Sequence, residues 1–189
     1  MKGVILVGGR ELSGPGTDRA MVFQHYSLFP WMTVGRNVAF SIEHSRKGRE
    51  LPKAQVDELV RTHLEQVGMG ADINRYPCEL SGGMQQRVMI AMGLMLEPDL
   101  VIADEPTTAL DVTVQAQVLQ LMRDLHRANS AVLLITHDLG VVSQIATRLA
   151  VMKDGRVIET SDDPAAFFTH PRHPYSQALV GEARKMELT

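Results

Sequence analysis

The chain has 189 residues, 44% of them hydrophobic and 22% charged, with a formal net charge of −3. That is the composition of a soluble globular protein of one medium domain, with room for a small insertion. A single cysteine, Cys78, excludes an internal disulfide and fits a reducing compartment, and the acidic balance gives no footing for nucleic acid as the main partner. No apolar run approaches the length of a membrane span, and the opening Met1-Lys2-Gly3-Val4-Ile5-Leu6-Val7 meets Gly8-Gly9 too soon for a secretory signal. A cytoplasmic location is expected, with any membrane association made through a protein partner.

Val4 to Val7 predicts a short strand turned by Gly8-Gly9, and Ser13-Gly14-Pro15-Gly16 a loop. Ala20-Met21-Val22-Phe23 predicts a second strand, with Gln24 at its C-terminal end. Between residues 31 and 80 the strand pattern fades. Val56, Leu59, Val60, Leu64 and Val67 follow helical spacing between Pro52 and Gly68, so this stretch is expected to be a mostly helical insertion. The basic run Arg46-Lys47-Gly48-Arg49 within it reads as a solvated loop.

Leu80-Ser81-Gly82-Gly83-Met84, followed by Gln85-Gln86-Arg87, directly precedes the apolar run Val88-Met89-Ile90-Ala91-Met92. The spacing predicts a buried helix running to Leu96 and stopping before Pro98. Backbone N–H groups at a helix start point at whatever sits in front of them, and the two glycines are expected to let an anion approach closely. Leu100-Val101-Ile102-Ala103 predicts a buried strand, and Asp111 an N-cap for a helix carrying Val114, Val118, Leu121 and Leu125 on one face. Ala131 to Thr136 is another continuous apolar strand. This alternation indicates a parallel sheet covered by helices. Val151-Met152 and Val157-Ile158 flank the hairpin signal Asp154-Gly155, Asp163-Pro164 opens a short helix, and Pro174 opens a last one. The methionines of segment 84–95 read as core packing, and His170 and His173 are too sparse a pattern for a metal site.

In parallel sheets, function collects at the C-terminal ends of strands. The strand ending at Ala103 delivers Asp104 and Glu105 side by side, pointing in different directions. One carboxylate can then hold Mg²⁺ through water while the other polarises an attacking water. His137, after the strand ending at Thr136, can reach a γ-phosphate oxygen or fix that water, and Gln24 can coordinate Mg²⁺ or the water. Each residue also has an ordinary reading: Asp-Glu as a helix start, Asp111 as a simple cap, a lone histidine as structural. Their order and spacing make them support one another.

Taken as a set, these motifs resemble the ATP-binding-cassette (ABC) ATPases. Gln24 falls at the Q-loop, Leu80 to Met84 at the signature, Leu100 to Glu105 at Walker B, Thr108-Ala109-Leu110-Asp111 at the D-loop and His137 at the switch histidine. The resemblance implies an α/β P-loop NTPase fold: a RecA-like core, incomplete here, with a helical subdomain inserted. Residues 1–30 would form part of the core with the Q-loop, 31–80 the helical subdomain, 81–160 the rest of the core and 161–189 a C-terminal helical tail. It further implies ATP and Mg²⁺ as cofactors, with Glu105 and His137 catalytic. Gln24, Ser81, Gly82, Gly83, Met84, Asp104 and Asp111 would lie at the nucleotide, Gln24 and Asp104 on the metal. The implied partners are a second cassette paired head to tail, integral-membrane permease subunits and, indirectly, a solute-binding protein, at the cytoplasmic side of the cell membrane and without nucleic acid.

The family's phosphate-binding loop, Gly-x-x-x-x-Gly-Lys-[Ser/Thr], has no match upstream of Gln24; neither Gly8-Gly9-Arg10 nor Gly14-Pro15-Gly16-Thr17 supplies it. Segment 3–16 resembles the strand and loop after the first helix in relatives, so the chain is expected to begin beyond that loop and, alone, to hydrolyse ATP weakly or not at all. Apolar edges are expected to be left uncovered. Two readings stay open: a gene fragment of an ordinary importer ATPase, and a catalytically deficient half-domain lending its signature to an intact partner. Residues 3–40 resemble nitrate, sulfonate and taurine importer ATPases, whereas residues 76–180 resemble oligopeptide and dipeptide importer ATPases. Both resemblances imply an importer of a small solute.

Overall fold

A computed structural model of the chain describes residues 6–7, 9–11, 14, 16, 18–23, 27–44, 50–95, 98–107, 110, 112–127 and 130–186. Expectations for Val4-Ile5, Gln24, Arg46-Lys47-Gly48-Arg49, Leu96, Thr108-Ala109 and Asp111 lie outside the described residues. The contacts divide the chain into two units, Met1–Ile135 and Thr136–Thr189.

In the first unit the expected N-terminal strand is the first arm of a hairpin. Strand β1 (Leu6–Val7) pairs antiparallel with β2 (Arg10–Glu11). The heart of the unit is a three-stranded parallel sheet in the order β3 (Arg19–Val22), β4 (Leu100–Asp104), β5 (Ala131–Ile135). Its register places Val22 beside Ala103 and Ala103 beside Leu134; Met21, Ile102 and Leu133 form the adjacent row.

Helices α3 (Gly82–Leu94) and α4 (Val112–Arg127) make the crossovers between these strands. Ala20, Val22, Val101 and Ala103 are buried, with Val132 and Leu134 packed against the same core as Val88, Ile90 and Ala91 of α3 and Val118 and Met122 of α4. The other face is different. Met21 is 49% exposed, Leu133 50% and Ile135 46%. The expectation of strands buried on both faces therefore fails for β5, and handedness explains why. Both crossovers step across the sheet in the same direction, and right-handed connections then put both helices on one side.

Residues 31–80 hold helix α1 (Val34–Glu43), helix α2 (Lys53–Gln66) and two short 3₁₀ turns, Gly70–Asp72 and Pro77–Glu79. Val34, Val38 and Ile42 of α1 and Val56, Val60 and Leu64 of α2 bury into the same core as the sheet. Helix α1 is entered through Asn37, which is fully buried and fully used. Its Oδ1 accepts from Phe29 N–H at 2.8 Å, and its Nδ2 donates to the carbonyls of Phe29, Met32 and Thr33 at 3.0–3.2 Å. This one side chain satisfies a loop that no strand or helix serves. It also holds Trp31, 69% exposed, at the loop tip against Phe29.

The second unit comprises helix α5 (Leu139–Ile145), strands β6 (Leu149–Lys153) and β7 (Arg156–Ser161), and helices α6 (Pro164–Thr169) and α7 (Pro174–Met186). The Asp154-Gly155 turn joins β6 to β7 with both residues at positive φ, +50° and +72°, the conformation that a two-residue hairpin turn requires. Val151, Phe167 and Val180 form its small core. Glu159 on β7 pins the loop ahead of α7: one carboxylate oxygen accepts from Arg172 N–H and the other from His173 N–H, both at 2.9 Å. The buried Ser176 hydroxyl lacks a well-formed hydrogen bond, yet it lies close enough to favour the charged carboxylate. That hydroxyl first, then the two N–H groups, hold the Glu159 carboxyl below the usual carboxylate range against the opposing effect of burial.

Two predictions follow from this packing. Ile90→Ala, on the buried face, should cost about 2–5 kcal/mol, and Leu133→Ala, on the open face, under about 1 kcal/mol. Urea denaturation of the two variants decides, and equal losses would contradict a one-sided core. Because folding lowers the Glu159 pKa, its stabilisation is complete above the unfolded value of about 4.3 and is lost as pH falls through the folded one. The stability gap between the native chain and Glu159→Gln should therefore shrink below that pH; a gap that stays flat or widens on acidification would refute the pairing.

Candidate functional site

Strand β4 ends at Asp104, paired with Ile135, and Glu105 follows with its N–H donating to the Ile135 carbonyl at 2.9 Å. Glu105 stands at φ +49°, in the left-handed region. For a residue with a side chain that conformation costs about 1–2 kcal/mol, and such outliers collect at functional sites. The backbone keeps its last tie to β5 while turning out of the sheet. Buried Thr107 then accepts from Leu110 N–H at 3.2 Å. Asp104 and Glu105 are both half-buried, adjacent carboxylates at a strand's C-terminal end, with the strand alternation broken between them.

A second group gathers at the start of α3. Ser81 is the N-cap, its hydroxyl accepting from Met84 N–H at 3.4 Å, and Gln85 Nε2 donates to the carbonyls of Pro77 and Leu80 at 3.1 and 3.3 Å. Glu79 reaches back to Tyr76 N–H at 2.6 Å. The loop 76–81 is thus tied to its helix at several points, while Ser81 stays exposed and Gly82 and Met84 half-buried. Gly83 is buried, and a Cβ there would lie 2.2 Å from Cγ1 of Val114. The missing side chain of Gly83 makes room for helix α4.

His137 is exposed, in the second unit, between β5 and α5. The hydroxyl of neighbouring Thr136 accepts from Asp138 N–H at 3.0 Å, and Asp138 caps α5 through Val141 N–H at 3.1 Å. The structure therefore brings Asp104 and Glu105 together and groups Ser81 to Met84; Gln24 and Asp111 lie outside the described residues. Among the described residues no three His, Cys, Asp or Glu side chains gather as a metal cage. Mg²⁺ needs none, since it binds through one or two carboxylates, water and substrate phosphates. His173 Nδ1 is engaged by Tyr175 N–H at 3.1 Å. The sequence reading missed Asn37, which stands unremarked inside an apolar helix, and the strain at Glu105, which no residue type announces. A polar residue within an apolar helical run was the available signal for the first.

Comparison with known proteins identifies the family. The ABC transporter family model matches residues 1–108, more than half of the chain. The chain is 41% identical over 194 residues to the dipeptide transport ATP-binding protein DppD of Bacillus subtilis, which covers 99% of this chain and 57% of that protein. It is 42% identical over 202 residues to the oligopeptide transport ATP-binding protein OppD of the same organism, covering 98% of this chain and 55% of OppD. It is 48% identical over 172 residues to the glutathione import ATP-binding protein GsiA of Escherichia coli K12, covering 87% and 27%. Among solved structures it is similar to the ATP-binding cassette MJ0796, described as a dimer in a post-hydrolysis state bound to ADP and Pi. That likeness has a TM-score of 0.74 at 27% identity, covering 85% of this chain and 73% of that one.

The chain belongs to the ABC transporter family, as an ATP-binding domain with an α/β P-loop NTPase core. Its nearer likeness here is to import proteins for dipeptides, oligopeptides and glutathione, and it spans about half the length of DppD and OppD. The nitrate, sulfonate and taurine resemblance of residues 3–40 finds no support in these relatives, which match across 87–99% of the chain.

The strain at Glu105 is testable apart from any activity. Glu105→Asn, a residue that tolerates the left-handed region, should raise stability by about 0.5–1 kcal/mol. A loss of stability in urea denaturation would show that the side chain, and not the backbone, governs this turn.

Proposed function

We propose that the chain is part of the ATP-hydrolysing subunit of an ABC importer for peptides or peptide-like solutes, acting at the cytoplasmic face of the membrane. The observation that carries the reading is the Asp104–Glu105 pair at the end of a parallel strand, with Glu105 held in a strained turn. Asp104 has the position and chemistry to hold Mg²⁺ through water, with Gln24 as a second oxygen donor. The metal, when bound, neutralises charge on the transferring phosphoryl group. Glu105 orients and polarises the attacking water as a general base. Ser81, Gly82, Gly83 and Met84 present a capped helix start to ATP held on a second cassette.

The likeness to a dimeric cassette supports a head-to-tail pair, and the likeness to import ATPases supports permease partners, with a solute-binding protein beyond them. No helix of the described residues is long and apolar enough to cross a membrane, which agrees with a peripheral subunit. The exposed Trp31, fixed by Asn37, is a ready anchor for the permease.

In an assembled transporter Glu105→Gln should lower ATP turnover about 100-fold or more, the usual loss for a missing general base, while ATP-dependent pairing of the cassettes persists. The 189 residues contain no Gly-x-x-x-x-Gly-Lys-[Ser/Thr], so the chain on its own should show little turnover. Robust ATPase activity of the isolated chain would refute its expected weakness, and an assembled Glu105→Gln transporter as active as its parent would overturn the assignment.

A further inference from the structure

Gly83 lies in the first turn of α3 and Val114 in the first turn of α4. A Cβ built on Gly83 would stand 2.2 Å from Val114 Cγ1 and 3.3 Å from both Cβ and Cγ2, so the valine side chain sits on bare backbone. Valine in a helix has one strongly preferred rotamer, which leaves it no easy way to swing aside. The contact is therefore stiff in both directions. Val114 also closes the segment that starts at the carboxylates: residues 105–111 run from Glu105 to the start of α4, and Leu110 packs on the main core. Its neighbour Val112 is exposed, so Val114 carries the packing of this first turn.

We propose that Val114 is a positioning residue for Ser81 to Met84, seating on Gly83 so that the starts of α3 and α4 move as one body. This rests on the functional reading above, in which Ser81 to Met84 meet nucleotide on a second cassette while Asp104 and Glu105 serve the chain's own site.

The test measures amide hydrogen exchange in the whole chain without nucleotide. Met84 N–H is held by the Ser81 hydroxyl and Gln85 N–H by the Ser81 carbonyl, so both amides report the geometry of this turn. Val114→Ala should speed their exchange by roughly tenfold while the Ile90 amide changes far less; near-isosteric Val114→Thr should restore the native rates. Gly83→Ala should lower the thermal midpoint, and adding Val114→Ala to it should recover the midpoint by removing the clash. Uniform acceleration of all α3 amides, or a double variant no more stable than Gly83→Ala, would overturn the proposal. ATP-dependent cassette pairing in the assembled transporter separates the two readings. If exchange behaves as expected but neither Ser81→Arg nor Val114→Ala affects pairing, the positioning role stands and the nucleotide role of Ser81 to Met84 fails.

Discussion

The lateral register of three short strands sets the geometry of the first unit. Once Val22, Ala103 and Leu134 stand side by side in parallel, two connections must return the chain to the start of the next strand. Right-handedness places both on the same face, so α3 and α4 share one core with the sheet. The same register brings the strand ends to a common edge, and there the backbone delivers Asp104 and Glu105. A single burial event thus builds the core and aims the chemistry. It leaves the opposite face, with Met21, Leu133 and Ile135, in solvent.

Around that core, polar side chains stand in where regular structure ends. Asn37 spends all of its hydrogen-bonding capacity on the loop carrying Trp31, and Gln85 fastens the turn before α3. In the second unit Glu159 does the same for the loop before α7. Each is a case of an irregular backbone needing partners that neither sheet nor helix provides. Glu105 is the opposite case, a conformation disfavoured locally and upheld by its tie to Ile135. Hydrogen-bonded loops and one strained turn at the strand end frame the candidate carboxylates.

Much of this was legible in one dimension. Periodicity located α2, α3 and α4, the Asp154-Gly155 pair announced its hairpin, and Asp163 and Pro174 marked the last two helices. Apolar runs identified β4 and β5 but not their unequal burial, because a strand's sequence does not say how many faces its crossovers will cover. The Arg10–Glu11 partner of β1 was invisible, since two polar residues carry no strand pattern and pair only because the chain turns back. Among candidate functional residues, Ser81 to Met84, Asp104, Glu105 and His137 stood out by type and order. Asn37 and Val114 did not, for their importance lies in what they touch.

The sequence by itself determined the family, the order of most elements and the identity of the polar groups at the strand ends, because these depend on local pattern and residue chemistry. Only the tertiary structure decided which face of the sheet is buried, that Glu105 adopts a left-handed turn, and that Gly83 packs against Val114. Those outcomes depend on contacts between residues far apart in the chain. A valine thirty-one positions away leaves no trace around a glycine until two helices meet.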